Sequence, residues 1–255
     1  MIDTHAHLDD RKFDSDREKV IQESFANGIE KIVNIGTDLK TSRLSVQLSQ
    51  KYPQIYASIA VHPHASKYFA LSTVSELEKL SANPKVLAIG EIGLDFYRNW
   101  SPKEDQVKAF KSQIELAFKL KKPIVYHIRE AFEETWAIIL ETKAYQLGGV
   151  LHSFSGNVEQ AQKATELGLY LSFNGSLTYK NSLAQEVVKN IPLDLILLET
   201  DCPYLTPQIL RGKRNQPDYV KYVLEKMSEL LNKPFEELEK ITTENAQRIF
   251  RFPQN

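Results

Sequence analysis

Two histidines near the start of the chain have the spacing of a metal-binding pair. His5 and His7 follow an apolar start and are separated by a single residue. In an extended strand, residues two apart point to the same side, and imidazole is a common ligand of divalent metals. By itself, the pattern fits a metal site and a surface histidine pair equally well.

Further side chains of this kind follow apolar runs of strand length. The polar residues in such positions are His5, His7, His62, His64, Glu91, His127, His152 and Asp201. Each has a structural interpretation when taken singly. A lone histidine is more often a hydrogen-bonded interior residue than a ligand, Glu91 can pair with Arg98 or Arg129, and Asp201 can cap the segment after it. Because all of these interpretations would have to hold together, we favour one shared metal site.

The ligand set is larger than one catalytic ion requires, since such an ion usually keeps three protein ligands and a water. We therefore expect two ions bridged by the carboxylate of Glu91, with Asp201 accepting the proton of the attacking water or orienting that water. The expected ligands of one ion are His5, His7, Glu91 and Asp201, and those of the other are Glu91, His127 and His152. Mixed imidazole and carboxylate ligands do not select one metal, so Mg, Mn and Zn all remain candidates.

Cations near the expected site are candidates for holding phosphate. Arg129 stands two residues after His127, and guanidinium groups suit phosphate oxygens. Barrels also often bind phosphate after their last strands, where a solvated basic turn is the alternative. The residues assigned to substrate or phosphate binding are His62, Arg129, Lys213 and Arg214. Aromatic residues near these loops, which can stack on bases or simply pack, are Tyr97, Trp100, Phe154 and Tyr204.

The elements that must position these residues alternate between strands and helices. Eight strands are predicted, at Met1–Asp3, Lys31–Ile35, Ile55–Ala60, Val86–Ile89, Ile124–Tyr126, Gly149–Leu151, Tyr170–Phe173 and Leu195–Leu198. Amphipathic segments lie between them, and closing helices are expected over Pro217–Leu231 and Pro234–Phe252, the last opened by Thr242–Ala246. This rhythm predicts a single-domain (β/α)8 barrel of the TIM type over residues 1–255, with a doubly wound open sheet as the alternative. In a barrel the strand ends share one mouth, where the polar residues would meet.

Composition limits the partners of the chain. Lys+Arg 32 against Asp+Glu 33 leaves a formal charge of -1, so any binding of nucleic acid must rely on a local cluster. The single cysteine, Cys202, excludes an internal disulfide and is interpreted as a packing residue. The start of the chain resembles neither a signal peptide nor a membrane span. We expect a cytoplasmic protein, most simply a monomer, that does not bind membranes.

Several motifs together resemble the TatD-related deoxyribonucleases. They are Asp3-Thr4-His5-Ala6-His7-Leu8, Val61-His62-Pro63-His64, Gly90-Glu91-Ile92-Gly93-Leu94-Asp95, His127-Ile128-Arg129, His152-Ser153-Phe154-Ser155-Gly156, Glu199-Thr200-Asp201-Cys202-Pro203-Tyr204-Leu205, Gly212-Lys213-Arg214-Asn215 and Thr243-Glu244-Asn245-Ala246. The resemblance implies a metal-dependent hydrolase barrel that cleaves DNA, with the same six metal ligands as above. Departures from the usual family pattern are Ala60, Glu130, Cys202 and Gln216. None removes a proposed ligand.

Three functions are compatible with these observations. The first is a metal-dependent 3'-5' exonuclease that acts on DNA strand ends, preferably single-stranded. The second keeps the metal site but hydrolyses a small amide, lactone or phosphoester. The third, a non-catalytic binding protein, requires an inert site. We favour the nuclease, because a nearly neutral enzyme suits gripping a strand end better than coating a duplex.

Overall fold

The structure, a computed structural model, describes residues 1–253 and contains one parallel sheet of eight strands. The strands are β1 (Ile2–Ala6), β2 (Lys31–Ile35), β3 (Ile55–Ile59), β4 (Val86–Asp95), β5 (Ile124–Arg129), β6 (Gly149–Leu151), β7 (Tyr170–Phe173) and β8 (Ile196–Leu198). They are ordered in the sheet as in the chain, from β1 to β8, and Ala6 of β1 forms a parallel bridge with Cys202 just after β8. The predicted (β/α)8 TIM-type barrel is therefore confirmed, and the doubly wound sheet, whose strand order reverses, is wrong.

Helices follow the strands along the chain. Within residues 1–253 the α-helices are α1 (Arg17–Ala26), α2 (Leu39–Lys51), α3 (Leu71–Ser81), α4 (Lys103–Leu120), α5 (Phe132–Thr142), α6 (Val158–Glu166), α7 (Ala184–Val187), α8 (Val220–Leu231) and α9 (Phe235–Phe250). Capping boxes begin α2 and α6, in which the side chains of Asp38 and Asn157 accept backbone N–H groups of the first turn. Such caps satisfy helix N–H groups that have no partner within the helix.

The start of the last helix differs from the prediction. Thr242–Ala246 does not open α9, because α9 begins at Phe235 and this segment lies in its interior. The Thr242 hydroxyl donates to the Leu238 carbonyl at 2.8 Å, and the Asn245 amide donates to the Leu193 and Ile196 carbonyls at 2.8 Å each. Both polar side chains thus have partners inside the fold and need no helix terminus to satisfy them.

The chain divides into two compact units, and the prediction of a single domain remains a prediction. One unit comprises Met1–Asn34 and Ser153–Arg248, and its largest buried side chains include Leu8, Phe13 and Phe173. The other comprises Ile35–His152 and the segment from Ile249 onward, and it buries Tyr126 and Phe110. Each unit therefore has a core of its own.

Three strands extend further than their apolar runs suggest, and the first of them, β1, reaches Ala6 instead of Asp3. β4 continues to Asp95 and β5 to Arg129, because parallel pairing persists through Gly93↔His127 and Asp95↔Arg129. Gly93 permits this, since a Cβ there would lie 2.1 Å from the His127 carbonyl oxygen and its φ is +144°. The register shifts between Gly90 and Ile92, and such an irregularity can re-aim the side chain between them, which is Glu91.

Among the residues that the structure describes, no helix combines the length and the apolar character needed to span a bilayer.

Candidate metal centre

The first cluster of candidate ligands consists of His5, His7 and Asp201. β1 carries His5, and Asp201 follows β8 closely. The Asp201 N–H donates to the His5 carbonyl at 2.9 Å, and the His7 N–H donates to the Cys202 carbonyl at 2.8 Å. The Nε2 atoms of the two histidines are 3.3 Å apart, and Asp201 Oδ1 lies 3.6 Å from that of His5 and 3.3 Å from that of His7. The structure thus brings these three predicted residues together.

The buried carboxyl of Asp3 holds together the two segments that carry the first cluster. Asp3 is fully buried and accepts the Thr200 N–H at 2.9 Å and the His5 N–H at 3.3 Å, and its Oδ2 lies 2.6 Å from the Thr200 hydroxyl. Burial raises the pKa of Asp3 to about 8, although these hydrogen bonds oppose the rise. Asp3 therefore ties β1 to the residue before Asp201 and fixes how the two segments approach.

The second cluster gathers imidazoles around one carboxylate oxygen. Glu91 Oε1 lies 2.5 Å from His127 Nδ1, 2.7 Å from His152 Nε2 and 3.4 Å from His62 Nε2. Neighbouring strands supply three of these residues, since Glu91 is on β4, His127 is on β5 and His152 follows β6 directly. His62 was predicted to bind substrate, and the structure places it beside Glu91.

The surroundings of the second cluster favour an ionised Glu91 carboxylate and a neutral His62 ring. Burial acts to raise the pKa of the Glu91 carboxyl, but three neighbouring imidazoles hold it well below its ordinary value. For His62 burial prevails and lowers the pKa to about 3. Burial also acts to lower the pKa of His127, but the carboxylates of Glu91 and Asp95 raise it on balance. Near neutral pH, Glu91 is therefore ionised and His62 is neutral, the states in which such side chains can coordinate a cation.

Asp95 connects the second cluster to the loop that follows β4. Its Oδ2 lies 3.1 Å from His127 Nε2 and 2.7 Å from His64 Nε2, and its Oδ1 accepts the Arg98 N–H at 2.8 Å. A carboxylate on the far nitrogen of a metal-binding histidine fixes the tautomer and the direction of the ring. Every second residue of a strand faces the same side. A predicted β4 that extended to Asp95 would therefore have placed Asp95 on the same face as Glu91.

Glu199 is a second supporting residue. It is fully buried and accepts the Ser153 N–H at 2.7 Å and the Asn174 amide at 3.1 Å, and the Ser172 hydroxyl also donates to it. These bonds fix Ser153, whose φ is +47°, directly after His152. The Glu199 carboxylate therefore positions the turn that carries a candidate ligand.

The donor sets suit divalent ions. The residues that would hold metal in the second cluster are Glu91, His127 and His152, whose ligand atoms all lie within 4.8 Å of one another. In the first cluster, two imidazole nitrogens lie 3.3 Å apart next to a carboxylate oxygen. Two nitrogens at zinc-like bond lengths of about 2.0–2.1 Å in tetrahedral geometry are separated by about 3.4 Å. Both clusters thus have ligand types that bind divalent ions, and the first cluster also has the spacing that such an ion requires.

The predicted phosphate-binding cations lie in different environments. Arg129 ends β5, is exposed, and its guanidinium lies 4.1 Å from the centroid of the Tyr97 ring. Lys213 is exposed. Both side chains are accessible to a ligand, and their phosphate role remains a prediction.

Arg214 has a structural role in addition to the predicted one. Its Nη1 and Nη2 donate to the two carboxylate oxygens of Asp16 at 2.8 and 2.7 Å, and Nη1 also donates to the Lys12 carbonyl at 2.5 Å. The guanidinium lies over the Phe13 ring at 4.4 Å. A phosphate would have to compete with Asp16 for these donors. The sequence around Arg214 is basic and did not indicate that Arg214 pairs with an acidic residue.

The aromatic candidates divide into buried and exposed residues. Phe154 is 6% exposed and packs in the interior, whereas Tyr97, Trp100 and Tyr204 are 51%, 59% and 44% exposed. Cys202 is buried and free, and burial raises the pKa of its thiol well above the ordinary value. It is therefore a packing residue, as expected, and not an activated nucleophile.

Comparisons with known proteins relate this chain to metal-dependent hydrolases. The family model described as TatD related DNase matches residues 2–251. The Bacillus subtilis protein named uncharacterized metal-dependent hydrolase YabD is 44% identical over 98% of this chain and 99% of its own. The Salmonella typhimurium protein named 3'-5' ssDNA/RNA exonuclease TatD is 33% identical over 98% of both chains.

Solved structures show the same architecture. The crystal structure of YJJV, a TatD homologue from Escherichia coli K12, superposes with a TM-score of 0.93 at 28% identity and covers 99% of this chain and 98% of that one. A TatD-family hydrolase from Entamoeba histolytica superposes with a TM-score of 0.90 at 24% identity, over 100% of this chain and 98% of its own. With these matches and the clustered ligands, the chain belongs to the TatD-related DNase family of metal-dependent hydrolases.

Proposed function

We propose that this protein is a divalent-metal-dependent nuclease that removes nucleotides from the 3' end of a DNA strand, preferably single-stranded. The observation that carries the proposal is the second cluster, in which one ionised, buried carboxylate faces three imidazole nitrogens. A relative 33% identical to this chain is named a 3'-5' ssDNA/RNA exonuclease, which supports this choice of substrate.

The proposed centre uses both clusters and two ions. The C-terminal ends of parallel barrel strands open to one face, where barrel enzymes place their chemistry. On that ground we assign one ion to His5, His7, Glu91 and Asp201, and the other to Glu91, His127 and His152. Divalent ions bound in this way supply Lewis acidity and a nucleophile at neutral pH. Mg, Mn and Zn remain the candidates, since these ligands do not choose among them.

The side chains have separable tasks in the proposed reaction. Asp201 accepts the proton of the attacking water, because its carboxylate lies beside the imidazoles of His5 and His7 and is partly accessible, with 15% of the side chain exposed. His62 offers a neutral ring, whose Nδ1 accepts the His64 N–H at 3.1 Å and whose Nε2 is thereby left as the donor. Arg129 and Lys213 are assigned to the phosphates of the strand, where exposed cations match its charge.

The test is release of nucleotides from end-labelled single strands by purified protein with Mg or Mn. We expect shortening from the 3' end and a loss of roughly 100-fold or more in Asp201→Asn, which removes a general base. Asp194→Asn, an exposed acid before β8, is the matched control and should behave as the unmodified protein. No shortening of DNA, combined with turnover of a small amide, lactone or phosphoester, would contradict the proposal.

A further inference from the structure

A loop after β4 presents aromatic rings and cations to solvent beside the second cluster. We call Tyr97, Arg98, Trp100 and Arg129 the aromatic platform. Tyr97 and Trp100 are 51% and 59% exposed, so both rings keep surface that a ligand can reach. Exposed large aromatic residues cost hydrophobic free energy when they remain in water, and a group of them beside a candidate site indicates a binding surface.

Cations and rings alternate in the platform. The Arg129 guanidinium lies 4.1 Å from the centroid of the Tyr97 ring, and that of Arg98 lies 5.4 Å from Tyr97 and 5.7 Å from Trp100. Aromatic faces stack on bases of any sequence, and neighbouring cations neutralise phosphates. The chemistry of the surface therefore matches a single strand of nucleic acid, whose bases are free to stack.

The loop is held firmly, which makes the platform preorganised. The Phe96 N–H donates to the Arg129 carbonyl at 2.9 Å, and the Arg98 N–H donates to Asp95 Oδ1 at 2.8 Å. The Ser101 hydroxyl donates to the His64 carbonyl at 2.8 Å and accepts the Lys67 N–H at 3.1 Å. A loop backbone fixed in this way loses little conformational freedom when a base stacks on the rings that the loop carries.

The platform is continuous with the proposed catalytic cluster. The Trp100 ring lies 4.5 Å from the His64 ring, and His64 Nε2 lies 2.7 Å from Asp95 Oδ2. The same Asp95 oxygen lies 3.1 Å from His127 Nε2. Three contacts thus connect a solvent-facing indole to a candidate metal ligand, so a base on Trp100 would belong to a nucleotide close to the bond that is cut.

We propose that the aromatic platform binds bases of a single-stranded nucleic acid next to the scissile phosphodiester, through stacking on Tyr97 and Trp100. This inference rests on the proposed nuclease function and adds the subsite that gives it a preference for unpaired strands. A duplex end keeps its bases stacked on each other and gains less from the platform.

Binding of a fluorescein-labelled oligothymidylate in EDTA, measured by anisotropy, tests the platform without cleavage. Tyr97→Ala/Trp100→Ala should raise the dissociation constant roughly 30-fold or more, because each of the two stacked bases contributes ~1–3 kcal/mol. Tyr97→Phe/Trp100→Phe should restore binding, since phenylalanine keeps a stacking face. Tyr52→Ala is the control, because this tyrosine also lies beside a cation, Lys51 at 5.2 Å, but precedes β3 and is not part of the platform.

An abasic strand of the same length separates stacking from charge. The abasic strand keeps the phosphates but has no bases to stack. The unmodified protein should therefore bind it more weakly than oligothymidylate, whereas the double alanine variant should bind the two strands with about the same affinity. The fluorescence of Trp100 also reports binding directly. The chain has two tryptophans, so only the Trp100 indole remains in Trp136→Phe, and oligothymidylate should quench its fluorescence. Unchanged affinity of the double alanine variant, with no quenching of Trp100, would overturn the inference.

The result separates this inference from the nuclease proposal. If the unmodified protein cleaves DNA and the double alanine variant binds oligothymidylate as tightly as the unmodified protein, the platform is rejected and the nuclease proposal stands. If the protein binds oligothymidylate through the platform but releases no nucleotides, the platform stands and the nuclease proposal is rejected. Protein that neither binds nor cleaves single strands rejects both.

Discussion

At the scale of single residues, the site depends on side chains that hold the ligands as much as on the ligands themselves. Asp95 contacts His127 and His64, and Glu199 fixes the turn after His152. The sequence pointed to the histidines because their spacing and strand-end positions are visible in the chain. It did not reveal their partners, since a carboxylate bound to a far imidazole nitrogen is recognised only once β4 and β5 are paired.

Asp95→Asn tests the supporting role. The amide keeps the size of the side chain but loses the charge that orients His127, and loss of such a partner typically weakens metal affinity or activity by about 10- to 100-fold. Calorimetric titration with Mn should show weaker binding, while Glu104→Gln, an exposed acid in the first turn of α4, should match the unmodified protein. Equal Mn affinity in both variants would mean that Asp95 serves only the loop.

At the scale of elements, the strands were predictable, but the C-terminal ends of β1, β4 and β5 were not. β2, β6 and β7 have the predicted bounds, because buried parallel strands are read directly from apolar runs. β4 and β5 continue through polar residues such as Glu91 and His127, which an apolar pattern cannot follow. In the same way, Arg214 was assigned from a basic turn, although Asp16, which pairs with it, lies far away in the sequence.

Tyr126→Phe tests the packing of β5. The Tyr126 hydroxyl is buried without a hydrogen-bond partner among the described residues, and burial raises its pKa far above the ordinary value. Because an unsatisfied buried hydroxyl costs ~1–3 kcal/mol, its removal should raise the free energy of unfolding by about 1 kcal/mol in urea titrations. A loss of stability would show that the hydroxyl is satisfied, for example by a buried water.

Asp16→Asn tests the link between α1 and the segment after β8. Hydrogen bonding to Arg214 lowers the pKa of Asp16, so the pair stabilises the fold above the pKa that Asp16 has when unfolded, and the effect is lost as pH falls through the lower folded value. The variant should be less stable by about 0.5–1 kcal/mol at neutral pH, as expected for a partly exposed pair. The difference should shrink below about pH 4, and a difference that is constant with pH would exclude the ion pair as its cause.

At the scale of the whole molecule, the barrel brings chemistry from many points of the sequence to strand ends. The number of predicted strands and their alternation with helices predicted the fold, and the motifs predicted the family. Both kinds of pattern can be recognised in the amino-acid sequence alone. The identity of the ions and of the substrate depends on side-chain geometry at the centre, which different members of one barrel family adjust independently.

Metal should stabilise the folded protein as a whole, because ligands bound only by the native state shift the unfolding equilibrium. At Mn concentrations of about 100 times the dissociation constant, the gain is ~2.7 kcal/mol, or roughly 5–10 °C in Tm for a chain of this size. Differential scanning calorimetry with Mn and with EDTA measures it. Glu91→Gln should lose most of the increase, and an equal increase in that variant would place the ions elsewhere.

Anomalous diffraction from crystals soaked with Mn tests the central claim most directly. We predict two peaks, one beside Glu91, His127 and His152 and the other beside His5, His7 and Asp201, with the Glu91 carboxylate touching both. A single peak, or peaks away from these side chains, would contradict the two-ion centre on which the proposed nuclease chemistry depends.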